Sequence, residues 1–390
     1  MTVAYPFNDT GSLDLHEAYL EALETPGMLR IQMPHGEPAW LATRYADARF
    51  VLGDRRFSRA MAAERDEPRM RAGRNAGGFL SMDPPDHTRL RTLVAKAFTV
   101  RRIEELRPRV RDLATHLVED MVAVGPPVDL VDAFALALPV QVICELLGVP
   151  ASDRSRFRVW SNNVMSTSRL TTEEFNTSQD EMHAYIRGLV ADHRAVPRDD
   201  LMTALIEAHD EGDRLSEVEL VNMCSAILVA GHETTASQIP NFLVTLLDHP
   251  RAMDKLRSDP TLIPGAVEEL LRFIPLGAGA AFSRYATEDV KVGDVLVREG
   301  EPVIVAIGAA NRDGLRFEEP NTLRVEAPPE QHLALGHGIH HCLGAALARM
   351  ELQEALRVLL AELPGLHLAG EIVWKTEMLV RGPVTMPVGW

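Results

Sequence analysis

The stretch Leu333-Ala334-Leu335-Gly336-His337-Gly338-Ile339-His340-His341-Cys342-Leu343-Gly344 decides what kind of fold this chain of 390 residues adopts. Gly336 and Gly338 permit positive φ values and let the backbone come close to a bound group. The single cysteine after them is predicted to open a long helix, because the residues that follow it keep helical spacing. A helix start lowers the pKa of a thiol through the helix dipole and free backbone N–H groups. The stretch therefore predicts a loop that presents a thiolate held by amides.

Three uses of this loop are consistent with its residues. The thiolate of Cys342 can bind haem iron, where sulfur donation favours cleavage of the dioxygen bond. His337, His340 and His341 together with the cysteine could instead hold zinc. The cysteine could also be buried and inert at a helix cap. The length of the motif favours haem, and the rest of the chain has to decide among the three.

The cysteines and the apolar segments indicate the compartment. Cys144, Cys224 and Cys342 are an odd and sparse set that implies no disulfide framework and suits a reducing compartment. The N-terminal residues lack the charged-then-apolar pattern of a signal peptide. The most apolar window, Phe134 to Val149, is interrupted by polar residues and is too broken to span a bilayer. We expect a cytoplasmic protein without a membrane anchor.

The bulk composition is that of a globular chain with a large core. Hydrophobic residues make up 46% of it, and no linker, composition break or internal repeat divides it. A length rule would allow two or three domains, but we predict a single domain over residues 1–390. The net charge of −16 argues against a nucleic-acid partner, because phosphate binding needs a basic surface.

Basic residues concentrate between Arg89 and Arg111, where eight of them stand against two acids. A basic patch in an acidic chain can steer an acidic partner. The alternative is a solvated helix face with scattered ion pairs, which is the commoner origin of a charge run.

The longest predicted helix runs from a capping box, Ser216 with Glu219, to Asp248. Its middle reads Ala230-Gly231-His232-Glu233-Thr234-Thr235. We expect Gly231 to weaken the helix at this point. We also expect the Thr234 hydroxyl to bond a carbonyl one turn earlier, bending the helix and opening a groove. A carboxylic acid beside a hydroxyl is a plausible proton relay into that groove. Pro240 predicts a second kink, for which the sequence gives no functional reason.

Two further pairs of charged side chains stand on predicted helices. His87 and Arg91, four residues apart, share a helix face and could clamp an anion, with Asp86 as the expected N-cap. An ordinary basic helix face is the alternative. Glu269 and Arg272 form an acid–base pair three residues apart, which is weak evidence for function on its own.

These motifs, in this order, resemble the bacterial cytochrome P-450 family, whose cysteine loop reads Phe-Gly-x-Gly-x-His-x-Cys-Leu-Gly. Leu335 stands where the family usually has Phe, which affects the tuning of the iron more than its ligation. The resemblance extends from about Trp40 to Val388. It implies a mainly α fold with small β sheets. Haem b, iron protoporphyrin IX, would lie between the long central helix and the cysteine helix.

The resemblance also assigns roles to single residues. Cys342 would be the iron ligand, and Glu233 and Thr234 would deliver protons to dioxygen. Glu269 and Arg272 would be buried and hold the proximal core. Their usual third partner, an Arg, would fall near Ala327, so Arg324 or His332 would have to substitute. The residues expected at the haem propionates are His87, Arg91, Arg284 and His340. The other residues expected at the cofactor are Ala230, Leu335, Gly336 and Gly344. Asn311-Arg312-Asp313 also matches the family, in a loop before the cysteine motif.

The expected activity is oxygenation of a bulky lipophilic molecule, by hydroxylation or epoxidation. Members of the resembled family commonly act on specialised metabolites, so we expect a polyketide, macrolide or terpenoid. The small residues from Pro275 to Ala281 would leave volume for it. The residues expected to line the pocket are Phe79, Leu80, Val164, Met165, Val229, Leu276 and Leu379.

Electrons have to come from outside, because the chain carries no flavin or dinucleotide fingerprint. We expect a ferredoxin and its reductase, with the ferredoxin docking near Arg101 and Arg102, and a monomeric enzyme. The alternative function is a haem protein of the same fold that binds or sequesters a ligand without turnover. The intact Glu233-Thr234 pair argues against that alternative.

Overall fold

The structure is a computed structural model that describes residues 2–7, 11–73, 78–96, 98–167, 170–210, 215–277 and 282–390. Helices dominate it, as the sequence predicts. The α-helices are α1 (Glu17–Glu24), α2 (Tyr45–Gly53), α3 (Asp86–Ala95), α4 (Val100–Val124), α5 (Ala137–Leu146), α6 (Arg154–Met165), α7 (Thr172–Ala195), α8 (Leu201–Asp210), α9 (Glu217–Asp248), α10 (Pro250–Ser258), α11 (Ile263–Phe273), α12 (Ile307–Ala310) and α13 (Ala345–Glu362). No helix in the described part of the chain combines the length and the apolarity that crossing a membrane requires.

The strands are short and form small sheets. They are β1 (Val3–Ala4), β2 (Leu29–Gln32), β3 (Ala39–Ala42), β4 (Phe57–Ser58), β5 (Val128–Asp129), β6 (Arg284–Ala286), β7 (Val290–Val292), β8 (Val295–Val297), β9 (Pro302–Val305), β10 (His367–Leu368), β11 (Val373–Trp374), β12 (Pro383–Thr385) and β13 (Pro387–Gly389). The largest sheet has six strands in the order β1-β2-β3-β9-β6-β4.

Contacts group the chain into two compact units, each built from several segments. The first unit comprises residues 1–83, 241–345 and 374–382 and contains the six-stranded sheet. Strand β3 pairs in parallel with β9, with Leu41 opposite Ile304. Both side chains are fully buried, in a cluster that also holds Tyr19 and Ile31. A second cluster, around Tyr45 and Phe317, covers helix α2.

The second unit comprises residues 84–240, 346–373 and 383–390. It holds most of the helices and the three-stranded sheet β10-β13-β5. The capping box predicted for the long helix is present, since Ser216 N–H donates to Glu219 Oε2 at 2.7 Å and Glu219 N–H donates to Ser216 Oγ at 3.2 Å. Helix α9 spans 32 residues and stays helical through Pro240.

One predicted cap is wrong. Asp86 is the first residue of α3, not its N-cap, and the cap position belongs to Pro85, which makes no side-chain cap bond. A carboxylate in the first turn still favours the helix through the helix dipole, so Asp86 contributes without capping.

Candidate functional site

The cysteine loop is a tight backbone structure that ends in a partly exposed thiol. The Cys342 N–H donates to Leu335 O at 2.8 Å, and the Gly336 N–H donates to Leu333 O at 2.8 Å. The first residue of α13 is Ala345, so the cysteine precedes the helix by three residues instead of opening it. Cys342 is partly exposed, whereas Cys144 and Cys224 are buried. Burial raises the pKa of the Cys224 thiol to about 12. Cys342 is therefore the cysteine of the three that is not buried.

Gly338 shows why the loop needs glycine. Its φ is +71°, a left-handed conformation that side chains rarely adopt. A Cβ at this position would lie 2.4 Å from the carbonyl oxygen of Leu52 and 2.9 Å from Gly53 Cα, at the end of α2. The glycine therefore lets the loop pack directly on the backbone of that helix.

A line of hydrogen bonds connects helix α11 to the start of the cysteine loop. Arg272 Nε and Nη2 donate to the two carboxylate oxygens of Glu269 at 2.7 and 2.8 Å. Its Nη1 donates to Asn311 O at 2.9 Å, and Asn311 Oδ1 in turn accepts the Leu333 N–H at 2.7 Å. Arg272 is 4% exposed, and a buried arginine satisfied in this way holds its partners in one geometry.

The third partner of the Glu269–Arg272 pair is backbone, which the sequence could not reveal. Arg324 contributes its N–H to Glu269 Oε1 at 2.9 Å, while its guanidinium binds Glu318 and Glu330. His332 pairs with the neighbouring acid, Glu268, at 3.3 Å. The side chains of Arg324 and His332 therefore do not take the place of the expected arginine. The other acceptors of Arg272 are the carbonyls of Pro320 and Thr322.

Arg284 is a buried cation at the start of β6. It is 8% exposed, and its Nη1 donates a hydrogen bond to Phe282 O at 3.3 Å. Among the described residues no carboxylate forms an ion pair with it. Burial, then the nearby Arg59, lowers the pKa of Arg284 to about 10. A buried guanidinium of this kind calls for an anionic partner, and a carboxylate ligand would supply one.

Helix α3 in the second unit carries the other predicted anion ligands. His87 and Arg91 both lie in α3, so the helix places them one turn apart on a shared face, as predicted. His87 is 1% exposed and Arg91 is half-buried. His340 lies in the 3-10 turn Gly338–His340 of the cysteine loop and is also half-buried.

The middle of α9 contains one contact that the sequence predicted. Its glycine has a packing role that the sequence did not predict. Thr234 Oγ1 donates to Ala230 O at 2.8 Å, as expected. Ala230 is exposed and Thr234 is half-buried, whereas Glu233 is fully buried. A Cβ on Gly231 would lie 2.8 Å from Cδ1 of Ile143 in α5, so this glycine permits close helix packing. The chain stays helical at this point. The groove expected from Gly231 and Thr234 remains a prediction.

Two predicted pocket residues, Leu276 and Leu379, belong to backbone segments that pair in the first unit. Gly277 pairs with Val380, and the Arg381 N–H donates to Leu276 O at 2.8 Å, which brings Leu276 close to the segment that carries Leu379. Phe79 and Leu80 form a 3-10 turn with Ser81. Residues 278–281 of the small-residue loop lie outside the described residues.

The other predicted pocket residues are in the second unit. Val164 and Met165 end helix α6 and are half-buried. Val229 lines a small cavity of about 10 Å³ among α5, α6, α7 and α9, together with Ile143, Phe157 and other side chains.

The basic run on α4 is largely neutralised. Arg107 and Arg111 both bind Glu354, a carboxylate with 0% exposure, at 2.7 Å. Arg109 binds Glu145 at 3.1 Å. Arg101 makes only a 3.8 Å contact with Glu105 and its side chain is 85% exposed. Arg102 is exposed, and no described residue forms an ion pair with it. These two arginines are therefore the accessible charges at the start of the helix.

A family model described as cytochrome P450 (P-450) matches residues 155–364. The curated mycinamicin IV hydroxylase/epoxidase of Micromonospora griseorubida is 51% identical over 99% of this chain and 98% of its own length. The chain belongs to the cytochrome P-450 family. Nocardicin C N-oxygenase of Nocardia uniformis subsp. tsuyamanensis is 48% identical to this P-450 over 100% of the chain and 99% of its own length.

Solved structures agree with this assignment. The crystal structure of HinD with NMFT and NO superposes with a TM-score of 0.96 at 48% identity, covering 100% of both chains. The mixed-function P-450 MycG superposes with a TM-score of 0.93 at 51% identity, again over 100% of both chains. The fold prediction is thereby confirmed, and the protein is a haem-dependent monooxygenase of this family.

The residues of the first unit fit the haem that the family carries. Cys342 is a partly exposed cysteine, and Arg284 offers a buried cation that calls for an anion. Within the described residues no three His, Cys, Asp or Glu side chains form a metal-binding group, so the histidines of the cysteine loop do not assemble a zinc site. The partial exposure of Cys342 also disfavours the reading of a buried, inert cysteine.

Proposed function

We propose that the Cys342 thiolate would bind the iron of a haem b, and that this site oxygenates a bulky lipophilic substrate. The observation that carries the proposal is a partly exposed Cys342 on a loop held by hydrogen bonds to Leu335 O and to the Asn311 side chain. Bound haem supplies the reductive activation of dioxygen, which uses two electrons and two protons for each oxygen atom inserted.

Four cationic or donor side chains would hold the haem propionates. Arg284 brings a buried charge, which a propionate would neutralise in a site that excludes water. His87 and Arg91 present two donors from one face of α3, and His340 brings a third from the cysteine loop itself. Leu335, Gly336, Gly344 and Ala230 would lie against the macrocycle, where small or apolar side chains leave room for it.

The proton supply would use Thr234 and Glu233. The Thr234 hydroxyl hydrogen is engaged with Ala230 O, so its oxygen offers lone pairs to an incoming donor. Glu233 adjoins it in the chain and is fully buried. A carboxylic acid beside a hydroxyl can act with it as a proton relay.

The substrate class follows from the pocket residues and from the relatives. Leu276, Leu379, Phe79 and Leu80 are apolar and at least partly accessible. Curated relatives act on mycinamicin IV and nocardicin C, and another is a polyketide biosynthesis P-450 of Bacillus subtilis. We infer a polyketide, macrolide or terpenoid substrate, with hydroxylation or epoxidation as the reaction.

Electrons would come from a ferredoxin and its reductase. Arg101 and Arg102 are the accessible charges at the start of α4, since Arg107, Arg109 and Arg111 are paired. An acidic ferredoxin would dock on a monomeric enzyme there. Neutralising both residues, R101Q/R102Q, should weaken ferredoxin-supported turnover at low salt, whereas R298Q, at an exposed arginine paired with Asp289, should not. Unchanged turnover in the double variant would remove this docking site.

The test of the proposed function is turnover with a surrogate ferredoxin and reductase. We expect NADPH-dependent formation of an oxygenated product from one member of a panel of macrolides and polyketide lactones, with a mass increase of one oxygen atom. Binding of panel compounds, seen as a change in the haem spectrum, without any product would favour the sequestering alternative. A protein that takes up no haem would refute the proposal altogether.

A further inference from the structure

Arg59 is the largest of the fully buried side chains, and the irregular segment that carries it gave no sequence signal of its importance. It is 1% exposed. Its Nη1 donates to Glu67 Oε1 at 2.8 Å and makes a short contact with Ser283 O. Its Nε donates to Leu80 O at 3.1 Å, and its Nη2 reaches Ser81 Oγ at 3.4 Å. One guanidinium thus connects three segments of the first unit.

The partners of Arg59 also bind one another. Ser283 Oγ donates to the same Glu67 oxygen at 2.8 Å. The backbone N–H of Arg59 donates to Asp83 Oδ1 at 2.9 Å, and Asp83 also accepts a short hydrogen bond from Ser58. The cation is therefore paired and satisfied, which a buried charge requires if it is not to destabilise the fold. The network makes the segment Phe79–Asp83 a fixed part of the unit.

Two of the segments that Arg59 connects, the turn Phe79–Ser81 and the segment of Ser283, belong to the proposed site. The turn Phe79–Ser81 carries two predicted substrate contacts, and Arg59 holds it through a carbonyl and a hydroxyl. Ser283 directly precedes Arg284, a predicted propionate ligand, and Arg59 holds its carbonyl. The guanidinium also lies 5.2 Å from the ring centre of Phe282. The position of the substrate-contacting turn relative to Arg284 thus depends on one side chain.

We propose that Arg59 is a positioning residue for substrate recognition: by donating to Leu80 O and Ser283 O at once, it fixes the turn Phe79–Ser81 against the strand that bears Arg284. Arg59 itself does not touch substrate in this account. The inference rests on the proposed function, because the turn matters for recognition only if it lines the oxygenation site. Loss of the Leu80 bond should loosen the turn and weaken bulky ligands without removing the haem.

The R59K variant isolates that bond. Lysine keeps a cation opposite Glu67 and Ser283 O but has no counterpart of Nε to donate to Leu80 O. Two azoles serve as probes, because both bind haem iron through nitrogen: imidazole is too small to reach beyond the iron, whereas clotrimazole is bulky. We expect R59K to weaken clotrimazole about tenfold, the size of roughly one net hydrogen bond, and to leave imidazole affinity within a factor of two. F79A should weaken clotrimazole selectively as well.

Hydrogen exchange gives a readout that does not depend on haem. The backbone amides of residues 78–83 should exchange faster in R59K than in the parent chain, while R56K, at an exposed neighbouring arginine, should leave them unchanged. If R59K does not fold, S81A removes the Ser81 contact and E67Q weakens the contact with Arg59 by removing its negative charge. Both variants should show the same selective effect in smaller size. Parent-like exchange and an unchanged ratio of clotrimazole to imidazole affinity would overturn the proposal. Failure of the proposed function would appear instead in the parent chain, as absence of any azole-induced change in a haem spectrum.

Discussion

Asn311 Oδ1 accepts a hydrogen bond from the backbone N–H of Leu333 at 2.7 Å, at the point where the cysteine loop begins. Leu333 is fully buried, so no water can replace that acceptor. N311A should therefore lower the free energy of unfolding by about 1–3 kcal/mol, the cost of an unsatisfied buried N–H. It should also reduce the fraction of reduced protein that gives a thiolate-type carbon monoxide spectrum.

Urea unfolding and the carbon monoxide spectrum together check this prediction. N321A is the matched control, because Asn321 accepts from Arg312 and has no bond to the cysteine loop. The account of Asn311 fails if the two variants behave alike.

Arg272 lies outside the cysteine loop, but its substitution should lower both the free energy of unfolding and the haem content. R272K keeps the charge but loses the bidentate contact with Glu269 and donations to the carbonyls of Asn311, Pro320 and Thr322. Leaving a buried acceptor of this network unsatisfied costs roughly 1–3 kcal/mol. Denaturant unfolding of R272K should show a loss in this range together with low haem content.

Arg324 is the control for that experiment. Its guanidinium contacts Glu318, which is 83% exposed, so R324K should change the free energy of unfolding by less than about 1 kcal/mol. Equal effects of R272K and R324K would show that the buried network does not hold the loop.

Glu351, on α13, is 1% exposed, and burial raises its pKa well above the usual range. At low pH the Glu351 carboxyl is protonated in both the folded and the unfolded chain, so its ionisation does not change the free energy of unfolding. As pH rises above the unfolded pKa, the unfolded chain ionises while the folded chain keeps its proton, and folding becomes less favourable. E351Q should therefore stabilise the protein increasingly as the pH rises above the ordinary glutamate pKa of 4.5, by up to ~1.4 kcal/mol per pH unit.

Unfolding curves at several pH values measure this gain. E362Q, at an exposed position near the end of the same helix, should show no such pH dependence. A gain for E351Q that is constant with pH would mean that Glu351 is ionised in the folded protein.

Thr234 should be required for productive use of electrons but not for stability. T234A removes the hydroxyl that passes protons, and general acid catalysis of this kind contributes about 10²-fold or more. We expect product formation to fall by that order while NADPH consumption continues and hydrogen peroxide accumulates. S237A loses the same type of bond, to Glu233 O at 2.8 Å, and should keep product and NADPH coupled. A well-coupled T234A enzyme would remove Thr234 from the proton path.

The sequence predicted the parts of the protein that short patterns determine. The Ser216–Glu219 capping box, the Thr234–Ala230 bond and the glycines of the cysteine loop all depend on residues a few positions apart. Local geometry fixes such contacts, so spacing alone reveals them. The family resemblance, carried by the same short motifs, gave the fold class.

What the sequence missed depends on contacts between distant segments. Arg59 bonds to Ser283, which is 224 positions away, and nothing in an irregular loop marks such a residue. The backbone carbonyls that complete the Arg272 site have no side-chain signature. Gly231 was expected to weaken its helix, but its structural role is to make room for Ile143. Each of these is a tertiary contact that local pattern cannot encode.

The central claim is that sulfur from Cys342 binds haem iron, and one spectrum tests it. The purified holoprotein, reduced under carbon monoxide, should show the long-wavelength Soret band that thiolate ligation gives. C342A should lose that band, while C144A and C224A, at buried cysteines, should keep it. A band that persists in C342A, or a parent protein without it, would contradict the account.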